Sequence, residues 1–200
     1  MSAAFSAPAA SRNREPILQI LRETLPLSGL VLEIAAGSGE HAVWFAAELP
    51  GISWQPTDPD PRALASIATR RDASGLANLQ PPLVLDATDP GSWPVAAADA
   101  VVCINMIHIS PWAATEGLMT GAARVLPPGG VLVLYGPYRE AGVPTAPSNL
   151  AFDADLKARN PAWGLRDLEA VTAVAEQAGL RLTRRHAMPA NNLSLTFERR

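Results

Sequence analysis

Short, continuous apolar runs alternate along this chain with longer segments of helical period, and this alternation limits the fold more than any other feature. The apolar runs have the length and composition of buried strands and lie at residues 30–35, 52–57, 82–85, 100–105 and 131–135. Helical patterns lie before, between and after them, at residues 16–25, 40–49, 115–125 and 165–178 and from Pro61 onward. This order is typical of βαβ units, which place their strands parallel in one sheet.

Two final strand patterns, at residues 180–187 and 193–199, follow the last helix with no further helix between them. Only a short turn at residues 188–192 connects them, whereas parallel strands need a long crossover, so we predict that they pair antiparallel. The predicted fold is therefore α/β: a doubly wound, Rossmann-like, seven-stranded mixed sheet that ends in an antiparallel hairpin.

The chain length of 200 residues is that of one ordinary domain, and 48% apolar residues supply enough material for its core. Residues 1–15, rich in Ala and Ser, are predicted to form a flexible arm before a single domain at 16–200. Residues 136–164 contain four prolines with mixed polar and aromatic side chains. We predict that this segment, called the excursion below, is a structured lid.

Several classes of function are disfavoured by composition. The net charge of −3 lacks the basic footprint of a nucleic-acid binder, and no uncharged apolar run is long enough to span a membrane. The single cysteine, Cys103, cannot form an internal disulfide or a thiolate metal cluster, so no metal site is predicted. Because the opening residues also lack the features of a signal peptide, we expect a cytoplasmic location. The oligomeric state stays open.

The most informative local feature is the turn at residues 36–39, called the glycine turn below, which joins the first strand to a helix. Gly37 and Gly39 allow a ligand to approach the backbone, and the helix start offers free N–H groups. The spacing Gly37-x-Gly39-x-x-Ala42, with Asp58 placed as a ribose-binding acid, also fits an NAD(P)-dependent oxidoreductase. A tight turn that needs glycine only for packing is the other interpretation. Glu33 favours a cationic ligand over a pyrophosphate.

The pattern Glu33-x-Ala35-x-Gly37-x-Gly39 resembles the glycine motif of class I S-adenosylmethionine-dependent methyltransferases, with Ala35 in place of the first glycine. Residues 100–108 and 124–134 resemble that family's fourth-strand motif and its entry to the fifth strand. This resemblance implies S-adenosylmethionine as cofactor, with Asp58 on its ribose and Asp86 on its adenine. The implied cofactor residues are Glu33, Ala35, Gly37, Ser38, Gly39, His41, Asp58, Asp86, Ala87, Asn105, Met106 and Ile107.

A narrower resemblance covers nearly the whole chain. Residues 13–18, 148–153, 163–169 and 188–193 are similar to segments of the methyltransferase-like 26 family. That family implies the same cofactor and no settled substrate.

Two residues near the ends of the fourth and fifth strands are candidates for catalysis. His108 has the near-neutral pKa of a general base, with a buried or capping histidine as the alternative. Tyr138 either lines the methyl-transfer site or anchors the excursion. Candidates for binding the substrate, each with internal hydrogen bonding as the alternative, are Trp112, Tyr138, Asn149, Asp153, Trp163 and Arg166.

The predicted function is methyl transfer from S-adenosylmethionine to a small-molecule acceptor that lies beneath the excursion. A non-catalytic protein that binds S-adenosylmethionine or acts as a scaffold is the alternative, and an oxidoreductase is a third possibility. We expect neither nucleic acid nor a membrane as a partner.

Overall fold

A computed structural model describes residues 4–200 of the chain. Its strands are β1 (Gly29–Ile34), β2 (Ile52–Asp58), β3 (Leu83–Val84), β4 (Ala100–Ile104), β5 (Val131–Gly136), β6 (Tyr138–Arg139), β7 (Arg166–Asp167), β8 (Leu180–Met188) and β9 (Asn192–Arg199). Its helices are α1 (Pro8–Thr24), α2 (Glu40–Glu48), α3 (Pro61–Ser74), α4 (Trp112–Val125), α5 (Pro147–Arg159) and α6 (Leu168–Gln177).

The main sheet has the order β3-β2-β1-β4-β5-β9-β8. Strands β1 to β5 pair parallel, and β9 pairs antiparallel with both β5 and β8. The predicted seven-stranded mixed sheet with a terminal antiparallel hairpin is thus confirmed. Because the strand order reverses between β1 and β4, a crevice opens at their carboxyl ends, where open α/β sheets bind their ligands.

One apolar cluster lies on each face of this sheet. Helices α4 and α6 pack through residues such as Leu118, Met119 and Val171 against one face. Helices α1 and α2 pack through residues such as Leu21 and Phe45 against the other. Burial on both faces explains why the parallel strands have continuous rather than alternating apolar sequences. No helix within residues 4–200 combines the length and the apolar character needed to cross a membrane.

The start of the chain differs from the prediction. Helix α1 begins at Pro8, not at residue 16, and Pro16 lies inside it. A proline in the first helical turn loses little because its missing N–H would be unpaired there. Pro8 occupies that place, whereas Pro16, to which the prediction assigned it, lies in the helix interior. Residues 8–15 of the predicted arm are therefore helical, while residues 1–3 lie outside the described residues.

Residues 5–7, which precede α1, are bonded to two other helices. The Phe5 N–H donates to the Ser66 hydroxyl at 3.2 Å, and the Ala7 N–H donates to the Glu40 carboxylate at 2.7 Å. Arg70 donates to the Phe5 carbonyl oxygen at 2.7 Å. These bonds hold residues 5–7 beside the start of α2 and the middle of α3.

The excursion contains helix α5, which the sequence analysis did not predict. Strand β6 at its start pairs with β7 just beyond its end in a small parallel sheet. The buried Asp153 of α5 accepts hydrogen bonds from Arg139, from Lys157 at 2.7 Å and from the Leu165 N–H at 2.8 Å. These contacts join both ends of the excursion to its helix.

Candidate functional site

The sheet topology collects the predicted cofactor residues along one edge. The glycine turn follows β1, Asp58 ends β2, Asp86 follows β3, and Asn105 follows β4. All four strands are parallel, so their carboxyl ends meet at the crevice between β1 and β4. Segments that are widely separated in sequence therefore lie side by side.

The two glycines of the turn are favoured for different structural reasons. Both have left-handed backbone angles, with φ of 58° at Gly37 and 82° at Gly39. A Cβ atom on Gly39 would lie 3.0 Å from Ile67 of α3, so this glycine permits close packing. A Cβ atom on Gly37 would have no described atom within 4 Å. Gly37 therefore borders open space, where a ligand can approach the backbone.

Ala35 stands where the glycine motif usually has its first glycine, and its backbone shows why glycine is preferred there. Its φ angle is 56°, in the left-handed region that costs a residue with a side chain about 1–2 kcal/mol. The turn keeps the conformation of a glycine although the residue is alanine. The departure in sequence is therefore not a departure in backbone geometry.

Asp58 fixes the glycine turn from the neighbouring strand. Its Oδ2 atom accepts a hydrogen bond from the Gly37 N–H at 2.9 Å, and its Oδ1 atom accepts one from the Asp60 N–H at 2.9 Å. Burial raises the pKa of this carboxyl above its usual range, while the two hydrogen bonds oppose that rise. The carboxylate thus holds the turn open and remains at the crevice.

Glu33 is buried between strands and has an internal partner. Its side chain is 1% exposed, and its Oε2 atom accepts a hydrogen bond from the Trp54 indole N–H at 2.7 Å. Burial, with a smaller contribution from the Asp58 charge, raises the pKa of Glu33 to about 7 against the lowering effect of the Trp54 hydrogen bond. Near neutral pH this carboxyl therefore holds its proton much more than an exposed glutamate does. It lies behind the glycine turn and supports it through β2.

Ser38 and His41 are bonded to their own surroundings. The Ser38 hydroxyl donates to Glu40 at 3.0 Å, and the His41 ring is hydrogen-bonded to the Asn13 side-chain oxygen at 2.8 Å. His41 also stacks on Phe45, and burial lowers its pKa to about 4. His41 is therefore neutral at physiological pH and links α2 to α1.

Asp86 and Ala87 follow β3 in a local turn. Asp86 is exposed, and its Oδ1 atom accepts hydrogen bonds from the N–H and the hydroxyl of Thr88, each at 2.8 Å. The Ala87 carbonyl oxygen packs so closely on α4 that a Cβ atom on Gly117 would lie 1.9 Å from it. This packing fixes the position of Asp86 at the edge of the crevice.

The segment after β4 turns sharply at Asn105. Its φ angle of 61° is left-handed, and its N–H donates to the Tyr135 carbonyl oxygen at 2.8 Å. A 3-10 turn follows at Met106–His108, and its Met106 and Ile107 side chains enter the apolar core. Asn105 therefore lies where β4 ends at the crevice, while the next two residues anchor the turn.

His108 and Tyr138, the predicted catalytic pair, lie against each other in the interior. Their ring centroids are 5.1 Å apart at an interplanar angle of 80°, and their side chains are 1% and 5% exposed. Within residues 4–200, neither ring nitrogen of His108 nor the Tyr138 hydroxyl has a hydrogen-bond partner. Burial, with a smaller contribution from the Arg166 charge and against a raising effect of the Gly164 backbone, lowers the pKa of His108 to about 3. The near-neutral pKa expected from the sequence is therefore wrong for this state of the protein.

A cavity of about 580 Å³ opens beside Asn105, and we call it the α1–α5 cavity. Elements from five parts of the chain form its wall: α1, the ends of β4 and β5, α5 and the hairpin turn. Its lining residues are Arg12, Asn13, Pro16, Asn105, Ile109, Tyr135, Pro137, Asn149, Phe152, Pro189, Ala190 and Asn192. Of the predicted site residues, only Asn105 and Asn149 are among them.

Tyr135 and Asn13, which the sequence analysis did not propose as site residues, form a polar link in the wall of this cavity. Asn13 is hydrogen-bonded to His41 through its oxygen and to the Tyr135 hydroxyl. Burial raises the pKa of Tyr135, and the Asn13 bond opposes that rise. The link runs from the start of α2, beside the glycine turn, to the cavity. The Asn13-Arg14-x-Pro16 segment was the one sequence signal that could have indicated this link. It was used only as part of the resemblance to the methyltransferase-like 26 family.

The other predicted substrate residues make internal contacts. Arg166 donates to the carbonyl oxygens of Ile107 at 2.9 Å and Ser110 at 2.7 Å, and it lies over the Trp112 ring. Trp163 packs beneath the guanidinium of Arg159, and Asp153 holds the excursion together as described above. Asn149 differs, because it lines the α1–α5 cavity and donates to the Asn191 carbonyl oxygen at 2.9 Å.

Residues 4–199 match a protein family described as "Protein of unknown function (DUF938)". The chain belongs to the DUF938 family. The match covers the sheet, the glycine turn and the walls of the α1–α5 cavity together.

Solved structures show which fold this DUF938 chain has. An O-methyltransferase family protein from Burkholderia thailandensis matches with a TM-score of 0.81 at 18% identity, over 96% of this chain and 57% of its own. An O-methyltransferase family 2 protein from Planctomyces limnophilus, in complex with apigenin, gives 0.78 at 17% identity, over 96% and 60%. CalO1, a methyltransferase in calicheamicin biosynthesis in its SAH-bound form, gives 0.77 at 20% identity, over 96% and 55%. The predicted class I methyltransferase fold is thus confirmed, and the chain spans less than two thirds of each neighbour.

Proposed function

We propose that this DUF938 protein transfers a methyl group from S-adenosylmethionine to a small molecule bound in the α1–α5 cavity. The observation that carries the proposal is the position of Asn105. It follows β4 at the crevice that holds the glycine turn, and it also lines the cavity. A cofactor over the crevice and an acceptor in the cavity would therefore meet at this residue.

The residues at the crevice fit S-adenosylmethionine. Gly37 borders open space, which leaves room for a ligand against the backbone, and Asp58 offers a carboxylate that can also accept from ribose hydroxyls. Asp86 would serve the adenine amino group, and Asn105 with the turn after it would lie beneath the cofactor. When bound, the cofactor supplies a methyl group on a positively charged sulfur.

The chain's own contribution is orientation, exclusion of water and, for an acceptor that carries a proton, removal of that proton. Asn105 and Tyr135 present polar groups at the inner end of the cavity. His108 lies behind them with both ring nitrogens unpartnered. Burial lowers its pKa to about 3, so it is neutral but only a weak base in this state, and it can take the acceptor's proton only when a bound ligand raises that pKa. Tyr138, packed on the His108 ring, orients it.

The excursion is proposed to cover the acceptor. Its helix α5 contributes Asn149 and Phe152 to the cavity wall, and the hairpin turn opposite contributes Pro189 and Ala190. An apolar cover favours transfer to the acceptor over loss of the methyl group to water.

The similar solved structures support methyl transfer as the reaction. The neighbours named above are methyltransferases, one with apigenin and one with SAH, and the lining of the α1–α5 cavity suits a molecule of similar size. We further propose membership in the methyltransferase-like 26 family, on the four sequence segments that resemble it. The single, buried Cys103 supports a cytoplasmic location.

Calorimetric titration of the purified chain with S-adenosylmethionine, S-adenosylhomocysteine and NADH tests the proposal. We expect binding of both sulfur compounds and no heat from NADH. Binding of NADH without S-adenosylhomocysteine would refute it in favour of an oxidoreductase. Cofactor binding without methylation of any component of a metabolite extract would instead support a non-catalytic protein.

A further inference from the structure

The α1–α5 cavity has an uneven charge distribution. Among the described residues that line it, Arg12 is the only charged one, and none is a carboxylate. The chain as a whole is acidic, with 19 acidic and 16 basic side chains. A cavity lined by one cation and no acid therefore differs from the average surface of this protein.

Arg12 also differs from other arginines near the same helices. Arg22 is paired with Glu48 at 2.6 Å, Arg70 with Glu40 at 3.4 Å, and Arg14 lies over the Trp44 ring at 3.9 Å. Among the described residues, none forms a salt bridge with Arg12. Its guanidinium is exposed at the mouth of the cavity and keeps its full capacity for two parallel hydrogen bonds to an anion.

The rest of the lining indicates what such an anion is attached to. Phe152 and Ile109 are 40% and 45% exposed, so two large apolar side chains face solvent at this cavity. Further rigid apolar surface comes from Pro16, Pro137 and Pro189. A flat, apolar body would cover these side chains, while Asn105 and Tyr135 offer polar contacts deeper in.

We infer that the acceptor is a small carboxylic acid with an apolar body, whose carboxylate pairs with Arg12 at the mouth of the cavity. The inference rests on the proposed function and adds the chemical class of the substrate. A carboxylate at Arg12 directs the opposite end of the molecule inward, toward Asn105 and Tyr135. Arg12 thus sets both the affinity and the orientation of the acceptor.

Matched probes that differ only in charge test this inference: 4-hydroxyphenylacetate against 4-hydroxyphenylacetamide, and benzoate against benzamide. Each is titrated into the ¹⁵N-labelled full chain, and the side-chain amide signals of Asn149 and Asn192 report binding in the cavity. The variants are Arg12→Gln and Arg12→Lys. Arg14→Gln is the matched control, because Arg14 lies two positions away on the same helix but outside the cavity lining.

We expect each carboxylate to bind the wild type and Arg14→Gln about tenfold more tightly than its amide. This preference should disappear in Arg12→Gln, persist in part in Arg12→Lys and weaken with added salt, because Arg12 is exposed. Equal affinity within each pair, a preference that survives in Arg12→Gln, or no shift at about 10 mM probe would overturn the inference.

Calorimetry with S-adenosylhomocysteine on the same samples separates this inference from the proposed function. Binding of S-adenosylhomocysteine without a carboxylate preference rejects the acceptor class and leaves the methyltransferase proposal standing. A carboxylate preference without S-adenosylhomocysteine binding rejects the proposed function and retains an anion-binding cavity at Arg12.

Discussion

The glycine turn and the α1–α5 cavity lie next to each other at the same edge of the sheet, yet their polar groups are used differently. In the turn, Asp58 bonds to Gly37, and behind it Glu33 bonds to Trp54. In the cavity, Arg12 forms no salt bridge among the described residues, and behind it the ring nitrogens of His108 lack a well-formed hydrogen bond. The turn is organised by the protein itself, whereas the cavity leaves polar groups for a ligand. This contrast predicts that substitutions in the turn change cofactor binding and those near the cavity change turnover.

Backbone strain is present in both regions. Ala35 before the turn, Asn105 between the regions, and Ala190 and Asn191 in the hairpin turn all have φ near 60°. Such residues persist only where surrounding contacts fix them, and they concentrate at binding sites. In the hairpin turn, one fixing contact is the bond from Asn149 to the Asn191 carbonyl oxygen. The strained residues therefore lie beside both proposed ligand sites, the crevice for the cofactor and the α1–α5 cavity for the acceptor.

The largest effect is expected at His108, behind the cavity. Because its ring nitrogens are unpartnered and buried, His108→Leu removes two unsatisfied polar atoms and should keep or raise the free energy of unfolding. With an alcohol or phenol as acceptor, kcat should fall by about 10²–10⁴, as expected for loss of a general base. Urea unfolding and steady-state kinetics measure the two effects. An unchanged kcat would show that His108 has no part in catalysis. Tyr138→Phe keeps the ring that packs on His108 and removes only the hydroxyl, so it tests whether the contact between the rings is enough.

A smaller effect is expected at Asp58, in the turn. Asp58→Ala removes the acceptor for the Gly37 N–H together with the proposed contact to ribose, so the free energy of cofactor binding should weaken by about 2–4 kcal/mol. Asp58→Asn keeps one oxygen acceptor and should lose less. Calorimetry with S-adenosylhomocysteine measures both, and circular dichroism checks folding. If a folded Asp58→Ala variant kept full affinity, Asp58 would lie outside the site.

Glu33 provides a pH-dependent test of the support behind the turn. Its pKa is raised by burial to about 7, so between pH 4.5 and 7 the folded state binds more protons than the unfolded state. The free energy of unfolding should therefore fall through this interval as pH rises, by about 3 kcal/mol in total. Glu33→Gln still accepts from Trp54 but cannot ionise, and it should lose this dependence.

Urea unfolding of the wild type and Glu33→Gln at about pH 5 and pH 8 measures that difference. His41 and His108, whose pKa values are lowered, act in the opposite direction and destabilise the folded state as pH falls. Both histidines are present in both proteins, so the comparison isolates Glu33. Parallel stability curves for the two proteins would contradict the raised pKa.

The sequence predicts the turn better than the cavity for a physical reason. The turn, its strand and its helix are contiguous, and Asp58 is one βαβ step away, so local spacing predicts their meeting. The α1–α5 cavity joins residues from Arg12 to Asn192, whose approach depends on the path of α1 and α5. Helix α5 lacked a clear apolar period, and the start of α1 was misplaced because Pro8 and Pro16 carry the same signal. Arg166 looked available for a substrate because sequence does not show the carbonyl oxygens of Ile107 and Ser110 that occupy it.

The smallest effects separate three nearby positions that share a left-handed backbone: Ala35 before the glycine turn, and Gly37 and Gly39 within it. Gly39→Ala adds a Cβ atom against Ile67 as well as backbone strain, and it should destabilise the fold by about 2–3 kcal/mol. Gly37→Ala adds only backbone strain and should destabilise the fold by about 1 kcal/mol. It should also weaken cofactor binding, because its Cβ atom enters the open space. Ala35→Gly relieves strain, offset by added freedom of the unfolded chain, and should change stability by less than about 1 kcal/mol. Urea unfolding of the three variants, with calorimetry for the cofactor, measures this order. Equal destabilisation by the two alanine substitutions would mean that Ile67 does not constrain Gly39, and full cofactor affinity in Gly37→Ala would mean that the ligand does not approach the turn.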